Sequence, residues 1–365
     1  MHILYITNGI SGSGGLERVL SLKTDYLISH NAYKISIITL NDGIHERFFK
    51  FNQNINFIDL EFKKTLFNKF YNYVTGLKKN INRLNPDIIV VCDDGLKAFF
   101  IPFFIRNNIP VIYERHVSKF IELTNSKSIF GKLRASLKWK IMNFMGQYFD
   151  KFILLTQGNK KEWALLNNIE VISNPLPFSS NFKNSLDHKT VIAVGKQSFQ
   201  KGFDLLIKSW VIVNDKHPDW ILEIYGKKEE KLKLLDQINS LNLNSSVKLL
   251  DPVSNIEEVY RTASIFVLSS RFEGFGMVLI EAMLFGVPCV SFDCPHGPGD
   301  IITHNKNGLL VENGNVRELA NSICELISNN ERRKLLGSQA KIDVNKYKID
   351  VIMSQWDTLF KSISK

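Results

Sequence analysis

Short apolar runs recur along the chain, and segments of helical periodicity separate most of them. The first half reads HILYITN (His2–Asn8), KISIITL (Lys34–Leu40), INFIDL (Ile55–Leu60), DIIVVC (Asp87–Cys92), PVIYER (Pro110–Arg115) and KFILLT (Lys151–Thr156). Runs of this length, rich in β-branched residues and not alternating with polar ones, predict strands buried on both faces. Strands alternating with helices predict a parallel sheet covered on both sides.

The rhythm breaks at ISNPLPFSSNFKNSLDHKT (Ile172–Thr190), which is rich in Pro, Ser and Asn. It restarts with VIAVG (Val191–Gly195), WILEIYG (Trp220–Gly226), VKLLD (Val247–Asp251), SIFVLSS (Ser264–Ser270), PCVSFD (Pro288–Asp293) and GLLV (Gly308–Val311). The expectation is an α/β protein of two doubly wound, Rossmann-like domains facing a central cleft. Residues 1–173 form the first domain, 174–190 the linker, 191–348 the second domain, and 349–365 a helix packing back toward the first. A length of 365 residues agrees, being more than one ordinary core organises. Open α/β sheets bind ligands outside the carboxyl ends of their strands, so the loops that follow strands are the places to inspect.

Composition narrows the class. With 44% hydrophobic and 22% charged residues the chain is of ordinary globular type. The net charge of +10 suits an anionic ligand, an anionic membrane surface or nucleic acid. The basic residues are spread over helices without a recognition module, which argues against nucleic acid. Cys92, Cys289, Cys294 and Cys324 form no CxxC pair and read as buried thiols in a reducing compartment. MHILYITNG runs straight into a strand, so no signal peptide is read. The longest apolar stretch, AFFIPFFI (Ala98–Ile105), is too short to span a bilayer and is interrupted by Pro102. A cytoplasmic protein is expected.

Three loops carry candidate chemistry. In NGISGSGGLERVL (Asn8–Leu20), Gly12, Gly14 and Gly15 allow close backbone approach to a ligand, and the helix start after them favours negative charge. Glu17 stands where a dinucleotide fingerprint has its third glycine, and no GKS or GKT follows. In VGKQSFQKGFDLLI (Val194–Ile207), Lys196 and Lys201 flank a loop that opens a helix. Two ammonium groups beside unpartnered N–H donors suit a diphosphate; solvated surface lysines are the alternative. The third loop is SRFEGFGMVLIEAMLFGVPCVSFDCPHGPGD (Ser270–Asp300), where Glu273 precedes Gly274, Phe275, Gly276 and Met277, and Glu281 follows eight positions on. The first N–H groups of the helix, around Gly276–Val278, lack intrahelical partners and can receive an anion. Glu281, alone among MVLIEAMLF, is costly to bury without partners, and a pair of ligand hydroxyls would supply them. A structural salt bridge is the alternative for each glutamate.

Together GGLERVL, GKQSFQKGFDLLI, EGFGMVLIEAM, GVPCVSFDCPHGP and NGLLV resemble the retaining glycosyltransferases of the two-Rossmann-domain (GT-B) type. The likeness is to the family 4-like group that contains bacterial polysaccharide and lipopolysaccharide transferases, and it spans essentially the whole chain. It implies that Glu273 contacts the hydroxyls of the donor sugar and Glu281 holds the ribose. It further implies that Lys196 and Lys201 clasp the diphosphate, that Gly274, Phe275, Gly276 and Met277 line the donor-binding turn, and that the Gly14–Gly15 loop closes over the phosphates. Lys196 stands where arginine is common in the family, which keeps the charge and loses the bidentate geometry. His116, after VIYER, matches a neighbourhood that often touches the donor sugar, with Glu114 and Arg115 as weaker alternatives. The residues expected to carry the chemistry are thus Glu273, His116 and Lys201. Asp93 and Asp94 read as turn caps or as lining the acceptor side, not as a metal pair.

The resemblance implies transfer of a hexosyl unit, with retention, from a nucleotide-sugar (UDP-linked by the family pattern) to a lipid-linked glycan acceptor in surface polysaccharide assembly. No metal or cofactor is expected, because lysines and helix ends carry the phosphate charge. The rival readings are a UDP-sugar epimerase or phosphorylase of the same fold, and an inactive nucleotide-sugar-binding subunit. SIFGKLRASLKWKIMNFMGQYFDKF (Ser128–Phe152) sets Lys132, Arg134, Lys138, Lys140 and Lys151 among aromatic and aliphatic residues, with Asp150 its only acid. It predicts peripheral attachment to the anionic inner face of the cytoplasmic membrane; an ordinary helix packed on the sheet is the alternative.

Overall fold

A computed structural model of the chain describes residues 1–43, 46–61, 69–105, 109–118 and 129–364. Ser128 and the Lys132 side chain, both in the predicted basic helix, lie outside the described residues. The chain divides into two compact units, Met1–Pro177 with Ile349–Lys365, and Phe178–Lys348.

The first unit is a seven-stranded sheet in the order β3-β2-β1-β4-β5-β6-β7, every pair parallel. Its elements are β1 (His2–Thr7), α1 (Gly15–Asn31), β2 (Lys34–Leu40), β3 (Asn56–Leu60), α2 (Lys69–Leu84), β4 (Ile88–Cys92), α3 (Ile101–Phe104), β5 (Val111–Glu114), α4 (Ile129–Gly146), β6 (Lys151–Leu154) and β7 (Ile169–Val171). All six residues of β1 and all five of β4 are buried, which is why these strands read as unbroken apolar runs.

The second unit is a six-stranded parallel sheet in the order β10-β9-β8-β11-β12-β13. It contains β8 (Thr190–Val194), α5 (Phe203–Lys216), β9 (Ile221–Tyr225), α6 (Leu234–Ser240), β10 (Val247–Leu250), α7 (Ile256–Arg261), β11 (Ile265–Leu268), α8 (Met277–Leu284), β12 (Cys289–Asp293), α9 (Pro298–Ile301), β13 (Gly308–Glu312), α10 (Val316–Ser328) and α11 (Asn330–Asp343). In each sheet the strand order reverses once, between β1 and β4 and between β8 and β11. Loops leaving neighbouring strands diverge at such a switch point and leave a crevice between them.

The unit boundary falls after Pro177, so most of the expected linker is held to the second unit. Asn184 Nδ2 donates to the carbonyls of Tyr260 and Ala263, at 3.0 and 2.9 Å. The buried Arg333 guanidinium donates to the carbonyl of Leu186. Polar composition therefore signalled irregular backbone here, not a free tether.

The C-terminal helix α12 (Ile349–Ile363) packs on α1 of the first unit. Asp357 accepts from Tyr33 Oη at 2.6 Å and Asn31 Nδ2 at 3.0 Å. The Trp356 ring lies 3.5 Å from Lys23 Nζ. Lys23 donates to both oxygens of Glu114 at 2.7 Å, and the two side chains are only 1% and 2% exposed. Burial pushes the Glu114 carboxyl up, but the Lys23 ammonium and His116 outweigh it and bring the pKa down to about 2. A buried pair is weak evidence of net stability, but breaking it strands a charge.

Glu114 titrates lower in the folded protein, about 2, than its ordinary 4.5. Its stabilisation is therefore complete above that ordinary value and is lost as pH falls through it toward the folded value. At about 1.4 kcal/mol per unit this is on the order of 3 kcal/mol. Urea denaturation from pH 6 to pH 3 should show about 2 kcal/mol of that loss in the wild-type protein. The double variant Lys23→Met/Glu114→Gln should show a correspondingly flatter profile, and an unchanged profile would remove the pair from the acid response. Backbone packing in the second unit gives another expectation. A Cβ at Gly226 would lie 1.9 Å from the carbonyl oxygen of Gly195, whereas one at Gly15 meets nothing within 4 Å. Gly226→Ala should cost on the order of 2–4 kcal/mol, while Gly15→Ala leaves the melting temperature nearly unchanged. Differential scanning calorimetry on both proteins decides it.

Candidate active site

At the β8/β11 switch point the second unit brings together two of the residues singled out in the sequence. Lys201, in the short turn before α5, donates from Nζ to Glu273 Oε1 at 2.7 Å. Ser270 Oγ donates to the same oxygen at 2.6 Å. The Glu273 side chain is buried and that of Lys201 is 18% exposed, so the pair is largely shielded from solvent. A side chain that is mostly buried, charged and paired is more constrained than a surface lysine.

The two loops are tied to each other along their length. Arg271 donates to both Asp204 oxygens at 2.8 and 2.6 Å and to the carbonyl of Phe199 at 2.7 Å. Its guanidinium also stacks over the Phe199 ring, 4.1 Å from the centroid. Ser269 Oγ donates to the carbonyl of Lys201, and Gln200 Nε2 to that of Phe272. Gly202 has φ +62, and a Cβ there would lie 2.0 Å from the carbonyl oxygen of Ser269. Only glycine fits that approach.

α8 begins directly after Gly276, whose φ of +96 is the left-handed turn that the second glycine permits. Gly276 supplies no side chain to cap the first helical N–H groups. Glu281, the fifth residue of α8, is a little more than one turn from the helix start and is buried. Its Oε2 accepts from Tyr260 Oη at 2.9 Å. The two glutamates thus have different surroundings, an ammonium and a hydroxyl for Glu273 and a phenol for Glu281.

Other expected residues are placed less simply. Lys196 does not join Lys201; its side chain is 64% exposed and its ammonium lies 4.0 Å from Glu229. Phe275 is a packing residue, with its ring buried edge-on against Tyr347 at 5.6 Å, so only its backbone can face a ligand. Its carbonyl lies against Gly297, where a Cβ would come within 2.2 Å. Gly274 and Met277 are half-buried in the same turn. The sequence reading missed Ser270, the Arg271–Asp204 clamp and Tyr260. Cys294 was noted only as a buried thiol; burial, with Glu273 nearby, raises its pKa.

In the first unit the glycine-rich loop is shaped by two carboxylates. Asp42 accepts from the Ile10 N–H at 2.8 Å and from Ser11 Oγ at 2.6 Å. Glu17 folds over the loop, where a Cβ at Gly12 or Gly14 would meet its carboxylate at 2.5 or 2.6 Å. Gly14 and Gly15 themselves are exposed. His116 sits beyond the end of β5 with its side chain 7% exposed and Nε2 3.3 Å from Glu114 Oε1. Arg115 lies 3.2 Å from Asp94 and packs against Trp139. Asp93 is buried and caps the turn after β4, accepting from the Gly95 N–H and from Asn8 Nδ2, both at 2.7 Å. Cys92, Glu114 and His116 are the one set of possible metal ligands among the described residues. Lys23, with its ammonium 2.7 Å from both Glu114 oxygens, already holds the cation position there.

A model of the family described as glycosyl transferases group 1 matches residues 178–343. The amylovoran biosynthesis glycosyltransferase AmsD of Erwinia amylovora is 28% identical over 98% of this chain and 99% of its own length. A GalNAc-α-(1→4)-GalNAc-α-(1→3)-diNAcBac-PP-undecaprenol α-1,4-N-acetyl-D-galactosaminyltransferase of Campylobacter jejuni is 26% identical over 96% of both chains. Among solved structures, a mutant of S. aureus TarM in complex with UDP, fondaparinux and α-GlcNAc-glycerol superposes with a TM-score of 0.81. It shares 18% identity and covers 98% of this chain and 99% of its own. The two parallel sheets, the group 1 match over residues 178–343 and the full-length glycosyltransferase relatives lead to one conclusion: the chain is a glycosyltransferase built on the two-Rossmann-domain, GT-B fold.

Proposed function

We propose that this glycosyltransferase is a retaining, family 4-like hexosyltransferase that moves a sugar from a UDP-linked donor to a lipid-linked glycan in surface polysaccharide assembly. The observation that carries the reading is the Lys201–Glu273–Ser270 cluster at the switch point, beside the start of α8. The names of the relatives support the acceptor class: one is named for amylovoran biosynthesis, the other for an acceptor ending in PP-undecaprenol. The UDP in the TarM complex supports the nucleotide.

In this reading the diphosphate lies against the N–H groups of Gly276 and Met277, and Lys201 turns its charge toward it. As the bond from the anomeric carbon to phosphate breaks, negative charge grows on the leaving oxygen, and preorganised donors stabilise it. The acceptor hydroxyl attacks from the same face, and its proton passes to the leaving phosphate oxygen. Lys201 and Ser270 both engage Glu273 Oε1, so the sugar hydroxyls are assigned to Oε2. Glu281 takes the ribose. Lys196, exposed, adds charge at the diphosphate. Gly274, Phe275 through its backbone, and Met277 shape the donor turn. Gly14, Gly15 and His116 remain the first unit's candidates for donor contact. The reading uses no metal and no cofactor.

We also place the protein at the anionic inner face of the cytoplasmic membrane, held peripherally. Among the described residues no helix is long and apolar enough to cross a membrane. On α4, Ala135, Trp139 and Met142 are buried, while Phe130, Leu133, Leu137 and Phe144 form an exposed stripe at helical spacing. Phe130 is 80% and Leu133 66% exposed, and the exposed Arg134 and Lys140 flank the stripe. Apolar groups ringed by cations fit an anionic interface, each cation adding about 1 kcal/mol.

Two outcomes are expected. With a UDP-sugar, a lipid-linked acceptor and EDTA present, Glu273→Gln should lower kcat roughly ten- to thousandfold, a loss of about 1.4–4 kcal/mol of transition-state binding. Its affinity for UDP alone should stay unchanged or rise, because Lys201 is released to the diphosphate. Glu281→Gln should weaken UDP about tenfold and chiefly raise KM. Calorimetry with UDP separates the two, and the opposite pattern would mean the carboxylates are assigned the wrong way round. For the membrane, vesicle flotation should recover the protein with anionic and not neutral lipid. Leu133→Asp/Leu137→Asp should abolish that recovery, and equal recovery with both lipids refutes the electrostatic part.

A further inference from the structure

We propose that Tyr260 is a positioning residue that fixes the plane of the Glu281 carboxylate and so sets how strongly the enzyme demands an intact ribose. This inference rests on the ribose role given above to Glu281. The terminal torsion of a glutamate is broad, so rotamer preference alone leaves its carboxylate plane undefined. Here a fully buried phenol on α7 donates to Glu281 Oε2 at 2.9 Å. The phenol is itself immobilised. Its ring stacks on Phe285, with centroids 5.7 Å apart and planes 18° apart, and packs at 6.2 Å on Phe266 of β11. The backbone carbonyl of Tyr260 is held by Asn184 Nδ2 at 3.0 Å.

A phenol placed only to fill space needs no carboxylate partner, and burying both polar groups is favourable only when they are bonded to each other or to another partner. An ionised carboxylate has two oxygens and about four acceptor positions. A donor that occupies one position on Oε2 aims the remaining ones. Two ribose hydroxyls spaced along one sugar edge are recognised only by a carboxylate of fixed plane. Losing the phenol hydroxyl should therefore cost the bond to the ribose edge and leave contacts to the base and diphosphate intact.

The test compares UDP with 2′-deoxy-UDP by calorimetry on the wild-type protein, Tyr260→Phe, Glu281→Gln and the double variant. The wild type should prefer UDP about tenfold or more. Tyr260→Phe should weaken UDP about five- to twentyfold and leave 2′-deoxy-UDP within about twofold. In the Glu281→Gln background Tyr260→Phe should have no further effect on UDP, because two residues acting as one unit are not additive. Phe285→Leu, which loosens the ring but keeps its hydroxyl, should reduce the preference in the same direction if Tyr260→Phe does not fold. Equal binding of both nucleotides by the wild type overturns the ribose assignment of Glu281 and this inference with it. A wild-type preference that Tyr260→Phe retains in full, or additive losses in the double variant, overturns the role of Tyr260 alone.

Discussion

The contact between Lys201 and Glu273 is the interaction on which the second unit's site depends. A 2.7 Å charge-assisted bond joins the loop after β8 to the loop after β11, across the place where the strand order reverses. Each partner needs the other. Glu273 is buried, and a carboxylate there without a cation or hydroxyl would be costly. Lys201, largely covered, would otherwise face a desolvation cost that only an anion can offset. The pair satisfies both groups within the second unit and holds an ammonium on Glu273, in the loop that leads into α8.

Backbone packing makes that pairing possible. Gly202 against Ser269, Gly226 against Gly195 and Gly297 against Phe275 are three places where one loop's carbonyl lies within 2.2 Å of where a Cβ would be. The loops are therefore stacked backbone on backbone, with no room for side chains between them. The Arg271–Asp204 clamp then holds the stack in register. Packing of this kind couples the loops, because loops in close backbone contact can move only together.

The sheets were legible in the sequence because buried parallel strands write themselves as unbroken apolar runs, and β1, β4, β8 and β11 lie within a residue or two of their expected bounds. β7 was not, since its three residues, Ile169–Val171, are only half-buried and carry a glutamate at the centre. The glycines and glutamates of the third loop were legible as a local pattern. Their partners were not, because partnership is a property of the fold. Lys201 reaches Glu273 across 72 positions and Tyr260 reaches Glu281 across 21. Lys196 and Lys201 looked equivalent five positions apart, yet one faces solvent and the other a buried carboxylate. Phe275, expected in the donor-binding turn, has its ring in the core against Tyr347, which leaves only its backbone to face a ligand.

The same logic explains why one short segment can carry two glutamates with different duties. A carboxylate beside an ammonium has its charge partly neutralised and its geometry set by that ammonium, so it can follow charge that changes during a reaction. A carboxylate beside a phenol gains direction from that phenol, which in the proposed function suits neutral hydroxyls that do not change. Glu273 is of the first kind, with Lys201 and Ser270 on one oxygen. Glu281 is of the second, with Tyr260 on Oε2. The eight-residue spacing places the first in the loop before Gly276 and the second inside α8. In the proposed function the loop is where the backbone approaches the donor, and the helix is where a side chain can be held rigid. Position in the fold, and not residue type, is therefore what lets the proposed function give the two carboxylates different duties.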